Sequence, residues 1–316
     1  MSSRRHILEA SAAAHQRGDK AALALVVDTE GSTYVRAGAM ALFGAREGQV
    51  GWLSGGCLEP EIETRAREAV AGHRIEWMDI DTRDDEDLIG GSALGCRGRL
   101  HLALLPVSAL AQWPALVQAW TRGAGSLDLS VSTTGAIAAS VGTLSVEIDL
   151  QAAAAAEMNW QLEIAAPPRV IVFGAGPETP TLLPLLRNLD WMTTLVERRA
   201  RWLPESPHAD VLIEAAPENA LTLHPGPAFD AALVMNHNFE MDREALEALA
   251  GSDIPFVGLL GPHRRREDLF RVLPAGVYQA LLPRLYSPVG LKLGGQGPEA
   301  IALSIAAQLQ EFRYPQ

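Results

Sequence analysis

The sequence predicts a two-domain α/β protein whose C-terminal half is a doubly wound parallel sheet. Three observations carry that expectation. The chain has 316 residues, 48% hydrophobic and 20% charged, enough to bury two cores of ordinary domain size. The run Ala165-Ala166-Pro167-Pro168 breaks regular structure and sets a boundary, giving an N-terminal α/β domain over 1–165 and a second domain over 166–316. Beyond it, β-branched apolar runs alternate with helical stretches, as strands and crossover helices do in a parallel sheet.

The first twenty residues read as an amphipathic helix, since His6, Glu9 and His15 interrupt any apolar stretch of signal-peptide type. Residues 21–30 read as a buried strand that stops at Gly31-Ser32-Thr33. The short apolar runs AMALFG (39–44) and QVGWLSGG (49–56) follow. Glu59, Pro60, Glu61 and Glu63 favour a helix N-terminus, so 59–72 is expected to be helical and to end at Gly72. Residues 74–80 alternate as a strand, and the acidic stretch 79–87 gives way to a glycine-rich loop feeding the strand before Val107. A helix is expected over 112–122 and hairpins over 126–164, with an alanine-rich patch at 152–156.

In the second domain, strands are expected at RVIVFGAG (169–176), TTLVERR (193–199), DAALVM (230–235) and PFVGLLG (255–261). Helices are expected at 179–189, 242–250, 264–273 and 298–312. The turn Gly174-Ala175-Gly176-Pro177-Glu178-Thr179 lies between a strand and a helix, which is the setting of a phosphate-binding, Rossmann-like turn. Glu197 then stands where an acid would take a ribose. Thr179 in place of the third glycine and Pro177 in the loop depart from that fingerprint, leaving two readings open: a dinucleotide site, NAD(P) included, or a fold kept as scaffold. Arg198 and Arg199 either receive a phosphate or are merely solvated. The run His263-Arg264-Arg265-Arg266 after Gly261-Pro262 marks a local anion site at another strand end.

Composition restricts the partners. Twenty-six basic against 38 acidic residues give a net charge of −12, which opposes general attraction to nucleic acid or an anionic membrane. No apolar run of transmembrane length occurs, so a soluble, cytoplasmic protein is expected. Two cysteines make no secreted disulfide framework and no CxxC metal spacing, and the eight histidines are scattered. Cys57 sits in Ser54-Gly55-Gly56-Cys57-Leu58-Glu59, ahead of a helix start that favours thiolate; the alternative is a buried cysteine acting as a small apolar residue. Cys96 sits in a second glycine loop beside Arg97.

The blocks GSTYVRAGAM (31–40), GWLSGGCLEPEI (51–62) and ALGCRGRL (93–100) stand in the order found in the XdhC/CoxI family, which the chain resembles. The resemblance continues through VIVFGAGPE (170–178), FVGLLGPHRRRE (256–267) and SPVGLKLGGQGPEAIALSIAAQL (287–309) and is weakest across 106–165. It implies a maturation factor that binds the molybdenum cofactor, as molybdopterin or its dinucleotide form, supports its sulfuration and delivers it to a molybdenum hydroxylase apoenzyme. A cysteine desulfurase as sulfur source and a homodimer fit the same resemblance. It directs attention to Cys57 and Cys96 near the metal-bearing end, with Gly55, Gly56 and Arg36. The phosphate is expected near Gly174, Gly176, Gly261 and Arg264, in a cleft between the domains.

Three departures qualify this. Val35 and Met40 stand where bases are expected, leaving Arg36. Asn236-His237-Asn238 lacks the acid expected beside His237, and Pro177 and Thr179 alter the glycine turn. The rival readings are an NAD(P)-dependent oxidoreductase using Glu197, recognised by saturable nicotinamide binding and turnover, and a cofactor-free scaffold, recognised by binding a hydroxylase without cofactor.

Overall fold

A computed structural model describes residues 3–81, 98–150, 157–223 and 226–315. The chain divides into two compact units, Met1–Ala166 and Pro167–Gln316. The first opens with α1 (Arg4–Arg17), whose N-terminus is capped by the Ser3 hydroxyl accepting the His6 N–H (3.2 Å) and whose C-terminus turns at Gly18 with φ of 68°. An antiparallel sheet follows, built from β1 (Ala22–Gly31), β2 (Met40–Ala45), β3 (Gly48–Val50), β4 (Glu76–Asp81) and β5 (Gly98–Pro106), in the order β3-β2-β1-β5-β4. Helix α2 (Glu59–Gly72) lies between β3 and β4 in sequence.

Strand β1 reads as a continuous apolar run because both its faces are covered. Ala22, Ala24 and Val26 join Ile62, Ala66 and Ala69 of α2 in one cluster, while Leu23, Leu25 and Val27 join α1 and α3 (Trp113–Thr121) in another. That second cluster also takes the inner residues of a separate antiparallel sheet, β8-β7-β6-β9, formed by β6 (Leu127–Ser132), β7 (Ala136–Val141), β8 (Leu144–Asp149) and β9 (Asn159–Ile164). Its odd positions Leu127, Leu129, Val131, Ile137, Ala139 and Val141 are buried and the residues between them are more exposed, which is the hairpin alternation of the sequence. Two buried indoles fasten α3: Trp113 donates to the Ser11 hydroxyl (2.8 Å) and Trp120 to the Ile164 carbonyl (3.1 Å).

The second unit is a six-stranded parallel sheet among the described residues, with β10 (Arg169–Phe173), β11 (Met192–Val196), β12 (Val211–Ile213), β13 (Ala231–Val234), β14 (Val257–Leu259) and β15 (Leu285–Tyr286) in the order β12-β11-β10-β13-β14-β15. The doubly wound fold expected from sequence is the one found. Val170 and Val172 of β10 pack with α4 (Thr179–Asn188) and α9 (Pro298–Arg313); Ile171 and Phe173 face the opposite way, with α6 (Phe239–Ala250). The remaining helices are α5 (Pro217–Leu223), α7 (His263–Val272) and α8 (Ala275–Leu281).

Helix α6 begins at Phe239, ahead of the expected 242, because the Asn238 side chain caps it by accepting the Met241 N–H (3.0 Å). Strands β12 and β15 and helices α5 and α8 are too short to show a period in sequence. Residues 82–87 of the acidic stretch and the alanine-rich patch at 152–156 lie outside the described residues. Among the described residues no helix is long and apolar enough to cross a membrane.

Candidate functional site

In the first unit, the loop between β3 and α2 is organised around one buried carboxylate. Glu59 is 4% exposed, and its Oε1 accepts the N–H groups of Leu53 (3.1 Å) and Ser54 (2.8 Å). The Ser54 hydroxyl donates to the other oxygen and accepts from the N–H groups of Gly56 (3.1 Å) and Leu58 (3.2 Å), with the Cys57 thiol at 3.7 Å. Burial resists ionisation of Glu59, yet the Ser54 hydroxyl and the surrounding N–H groups outweigh it and hold the carboxyl below its ordinary range. The loop is thereby pinned from inside while its outer surface stays open. Cys57 is exposed, so the reading of it as a core residue does not hold. Gly55 has no atom within 4 Å of where a Cβ would stand, and Gly56 has a φ of +109°.

The turn carrying Arg36 is seated on the same apolar cluster as this loop. Val35 and Ala39 pack against the group that contains Leu53 and Ile62, and Leu58 packs there too. Val35, in a place where a base was expected, is thus an anchor, and Arg36 is left exposed beside it. At the start of β5, a Cβ on Gly98 would lie 2.6 Å from the Ser32 carbonyl oxygen and 2.7 Å from that of Glu30, so glycine lets this strand lie against the Gly31-Ser32-Thr33 turn. Cys96, two positions earlier, lies outside the described residues. Among the described residues no three His, Cys, Asp or Glu side chains gather as a metal-ligand set.

In the second unit the strand order reverses between β10 and β13, where an open α/β sheet takes its ligand. Gly174 has a φ of +91°, and a Cβ there would stand 2.5 Å from the Asn236 Cα. The donors of this turn are engaged within the protein. Ala175 N–H donates to Glu197 Oε2 (2.8 Å), and Gly176 N–H to the Thr179 hydroxyl (2.9 Å). Glu197, 1% exposed, also accepts the N–H groups of Arg198 (2.9 Å) and Arg199 (2.8 Å) and the Arg199 guanidinium at both oxygens (2.9 and 2.6 Å). Arg199 continues to the carbonyls of Asn236 (2.6 Å) and Ala175 (2.9 Å). Arg198 pairs with Glu244 (2.6 Å). Both arginines are therefore bound to protein groups rather than simply solvated.

The acid missing from 236–238 is supplied from another loop. His237 Nε2 lies 3.1 Å from Glu178 Oε2, 59 positions away in sequence, and Gly176 admits the contact, since a Cβ there would stand 2.8 Å from that nitrogen. The hydrogen bond that the His237 ring donates to the Glu178 carboxylate raises the His237 pKa above its ordinary 6.5 against the effect of burial. For Glu178 burial works the other way, but the His237 bond prevails and lowers its pKa from 4.5. The sign follows from linkage. The His237 contribution to stability is complete below pH 6.5 and is lost as pH rises through the higher folded value; that of Glu178 is complete above pH 4.5 and is lost as pH falls through its lower one. The pair is strongest between them. An NMR titration of the imidazole is expected to give a midpoint above 6.5 in the wild type, moving back toward 6.5 in Glu178→Gln; a wild-type midpoint at or below 6.5 would show that the pair does not form.

The arginine run after β14 differs from the open anion site expected of it. Arg265 pairs with buried Asp242 (2.6 Å), Arg266 donates to the Ser287 carbonyl (3.1 Å), and Arg264 alone projects into solvent, 90% exposed with Asp268 at 3.8 Å. Gly261, with a φ of +124°, lies against Arg265, whose Cδ is 2.6 Å from where its Cβ would be. The site residues thus fall into a thiol loop with Cys57, Gly55 and Gly56, an exposed Arg36 on a neighbouring turn that shares its apolar cluster, a closed turn with Gly174, Gly176 and Glu197, and the Gly261 loop, where Arg264 projects alone. Sequence reasoning missed Glu178 and Asp242, and took Glu59 only for a helix-starting residue. Serine and glutamate five apart around a double glycine were the available signal for the Ser54–Glu59 bond.

One unit with an exposed thiol on a rigid loop and a second with a Rossmann sheet define a two-domain α/β protein in which each half carries its own candidate site. The description of the XdhC Rossmann domain matches residues 170–309, and that of the XdhC and CoxI family matches residues 14–80. The chain belongs to the XdhC/CoxI family. It is 29% identical over 321 aligned positions to a probable xanthine dehydrogenase subunit of Bacillus subtilis (strain 168), covering 93% of this chain and 94% of that one. A crystal structure of a xanthine dehydrogenase from Bacillus halodurans is similar to it with a TM-score of 0.78 and 29% identity, over 99% of this chain and 97% of that one. An uncharacterized protein of Escherichia coli (strain K12), YqeB, is 32% identical over 110 residues, 32% of this chain and 20% of that one.

Proposed function

We propose that this protein is an accessory factor of a xanthine dehydrogenase-type molybdenum hydroxylase, binding the molybdenum cofactor and supporting its maturation and insertion. The observation that carries the reading is the exposed Cys57 thiol on a loop held rigid by the buried Glu59 carboxylate. The residues present fit such a group in kind: a soft donor in Cys57, a solvent-facing cation in Arg36, and open backbone at Gly55. When bound, the cofactor supplies the molybdenum and its sulfur chemistry. Cys57 offers a thiolate to that metal or to a transferred sulfur, Arg36 offers charge to the phosphate, and the Ser54–Glu59 bonds keep the thiol on the surface.

The similarity to proteins described as a probable xanthine dehydrogenase subunit and as a xanthine dehydrogenase supports a hydroxylase as the partner; a cysteine desulfurase as sulfur donor, a homodimer and a cytoplasmic location belong to the same proposal. The nicotinamide alternative has less in its favour, because pyrophosphate would have to displace Glu197 and the Thr179 hydroxyl from the turn's N–H groups. Molybdenum by elemental analysis and pterin by fluorescence, on protein purified anaerobically from a host that makes the cofactor, test the reading. About one of each per chain is expected. Neither metal nor pterin, together with saturable NADH binding, would replace it with an oxidoreductase.

A further inference from the structure

Seven tryptophans occur in the chain, and among them Trp52 alone is exposed, at 47%, whereas Trp113, Trp120 and Trp191 are at 2% or less. An indole in water forgoes the burial that makes tryptophan favourable in a core. The fold gives it no inward alternative. Gly51, with a φ of +92°, is pressed so closely against α1 and β2 that a Cβ there would stand 2.7 Å from the Ile7 Cδ1 and 3.0 Å from the Met40 carbonyl oxygen. Leu53 on the other side is fully buried. With both neighbours committed to the interior, Trp52 is left facing outward at the bend after β3.

The ring is placed with respect to the thiol loop. Apart from its chain neighbours, the nearest atom to a Cβ built on Gly56 is Trp52 Cζ3, at 3.8 Å, so the indole edge approaches the residue that precedes Cys57. The Ser54 hydroxyl ties Gly56 and Leu58 to one point, with the Cys57 sulfur 3.7 Å from it, and Glu59 fixes Ser54 in turn. An exposed aromatic surface and an exposed thiol are therefore carried on one loop, five positions apart, with two glycines between them.

We propose that Trp52 is a stacking shelf for a planar conjugated heterocycle whose reactive end is directed to Cys57. This rests on the function proposed above, in which that heterocycle is the pterin. Stacking on an aromatic side chain is tolerant of ring identity, so an adenine ring is the competing source of the same chemistry.

The test measures binding of pterin-6-carboxylate and of AMP to the full-length protein by fluorescence titration and calorimetry, in wild type, Trp52→Phe and Trp52→Ala. The expected result is saturable pterin-6-carboxylate binding to wild type, weakened about tenfold in Trp52→Ala and no more than about threefold in Trp52→Phe, which keeps a ring face. The unfolding temperature should stay unchanged, because the side chain is exposed. AMP binding stronger than pterin binding, with the same dependence on Trp52, would keep the shelf and assign it to adenine. Wild-type affinity in Trp52→Ala, equal loss in Trp52→Phe, or no binding of either probe to wild type would overturn it. Molybdenum content measured on the same preparations separates the two proposals. Wild-type content in Trp52→Ala removes the shelf and leaves the function, while absent molybdenum with a Trp52-dependent pterin titration does the reverse.

Discussion

Cys57→Ala, purified anaerobically from a cofactor-producing host, is expected to carry less than about a tenth of the wild-type molybdenum and pterin while remaining as stable as the wild type. The two halves of that expectation come from different parts of the structure. The thiol is exposed, and its one hydrogen bond among the described residues is a weak one to the Ser54 hydroxyl at 3.7 Å, so truncation should change stability by no more than about 0.5 kcal/mol, as for an ordinary surface position. Loss of a soft donor, by contrast, leaves a hard oxygen and nitrogen surface that does not replace a thiolate toward molybdenum or sulfur. Cys57→Ser separates donor chemistry from shape: it keeps the volume and a hydrogen-bonding group, and it is expected to lose the cofactor as the alanine variant does. Elemental analysis with pterin fluorescence measures content, and circular-dichroism melting measures stability. Wild-type cofactor content in Cys57→Ala would remove the thiol from the proposal.

The large features of the fold were legible because they are periodic. Alternation over 126–164 marks the hairpins, continuous apolar runs mark strands covered on both faces, and the Pro167-Pro168 break falls at the limit between the compact units. What was not legible depends on pairing across sequence. Glu178 and His237 are 59 positions apart and meet only because β10 and β13 are adjacent in the sheet. The glycine turn was visible as a pattern, but its occupancy was not: whether an N–H group is free is decided by where Glu197 and Thr179 project. Likewise three consecutive arginines look alike in sequence, yet one is exposed, one pairs with Asp242 of α6 and one donates to the Ser287 carbonyl. Side-chain direction in the first turn of α7, rather than composition, separates them.

Glu197→Ala is expected to destabilise the second unit by about 3–5 kcal/mol, the range for breaking a buried charge pair from one side. The carboxylate has no exposed side-chain surface, and it holds three backbone N–H groups together with Arg199. Removing it leaves Ala175 N–H without its acceptor and strands a guanidinium that is only 26% exposed. Arg199→Ala removes the other half, so the two losses share one interaction and should not add. The double variant is expected to cost less than the sum of the single ones by more than about 1 kcal/mol. Urea unfolding of the four proteins measures this coupling; strict additivity would mean that the pair does not act as a unit. The same carboxylate predicts an acid profile. Burial resists its ionisation, but Arg199 and the N–H groups prevail and place its pKa below 4.5, so its contribution is complete above pH 4.5 and is lost as pH falls through the lower folded value. Glu197→Gln should flatten that part of the profile, because the amide does not titrate and turns an N–H donor toward donors already there. The closed turn is thus held by a group whose charge the fold stabilises, and a ligand phosphate must compete with that charge for the same N–H groups.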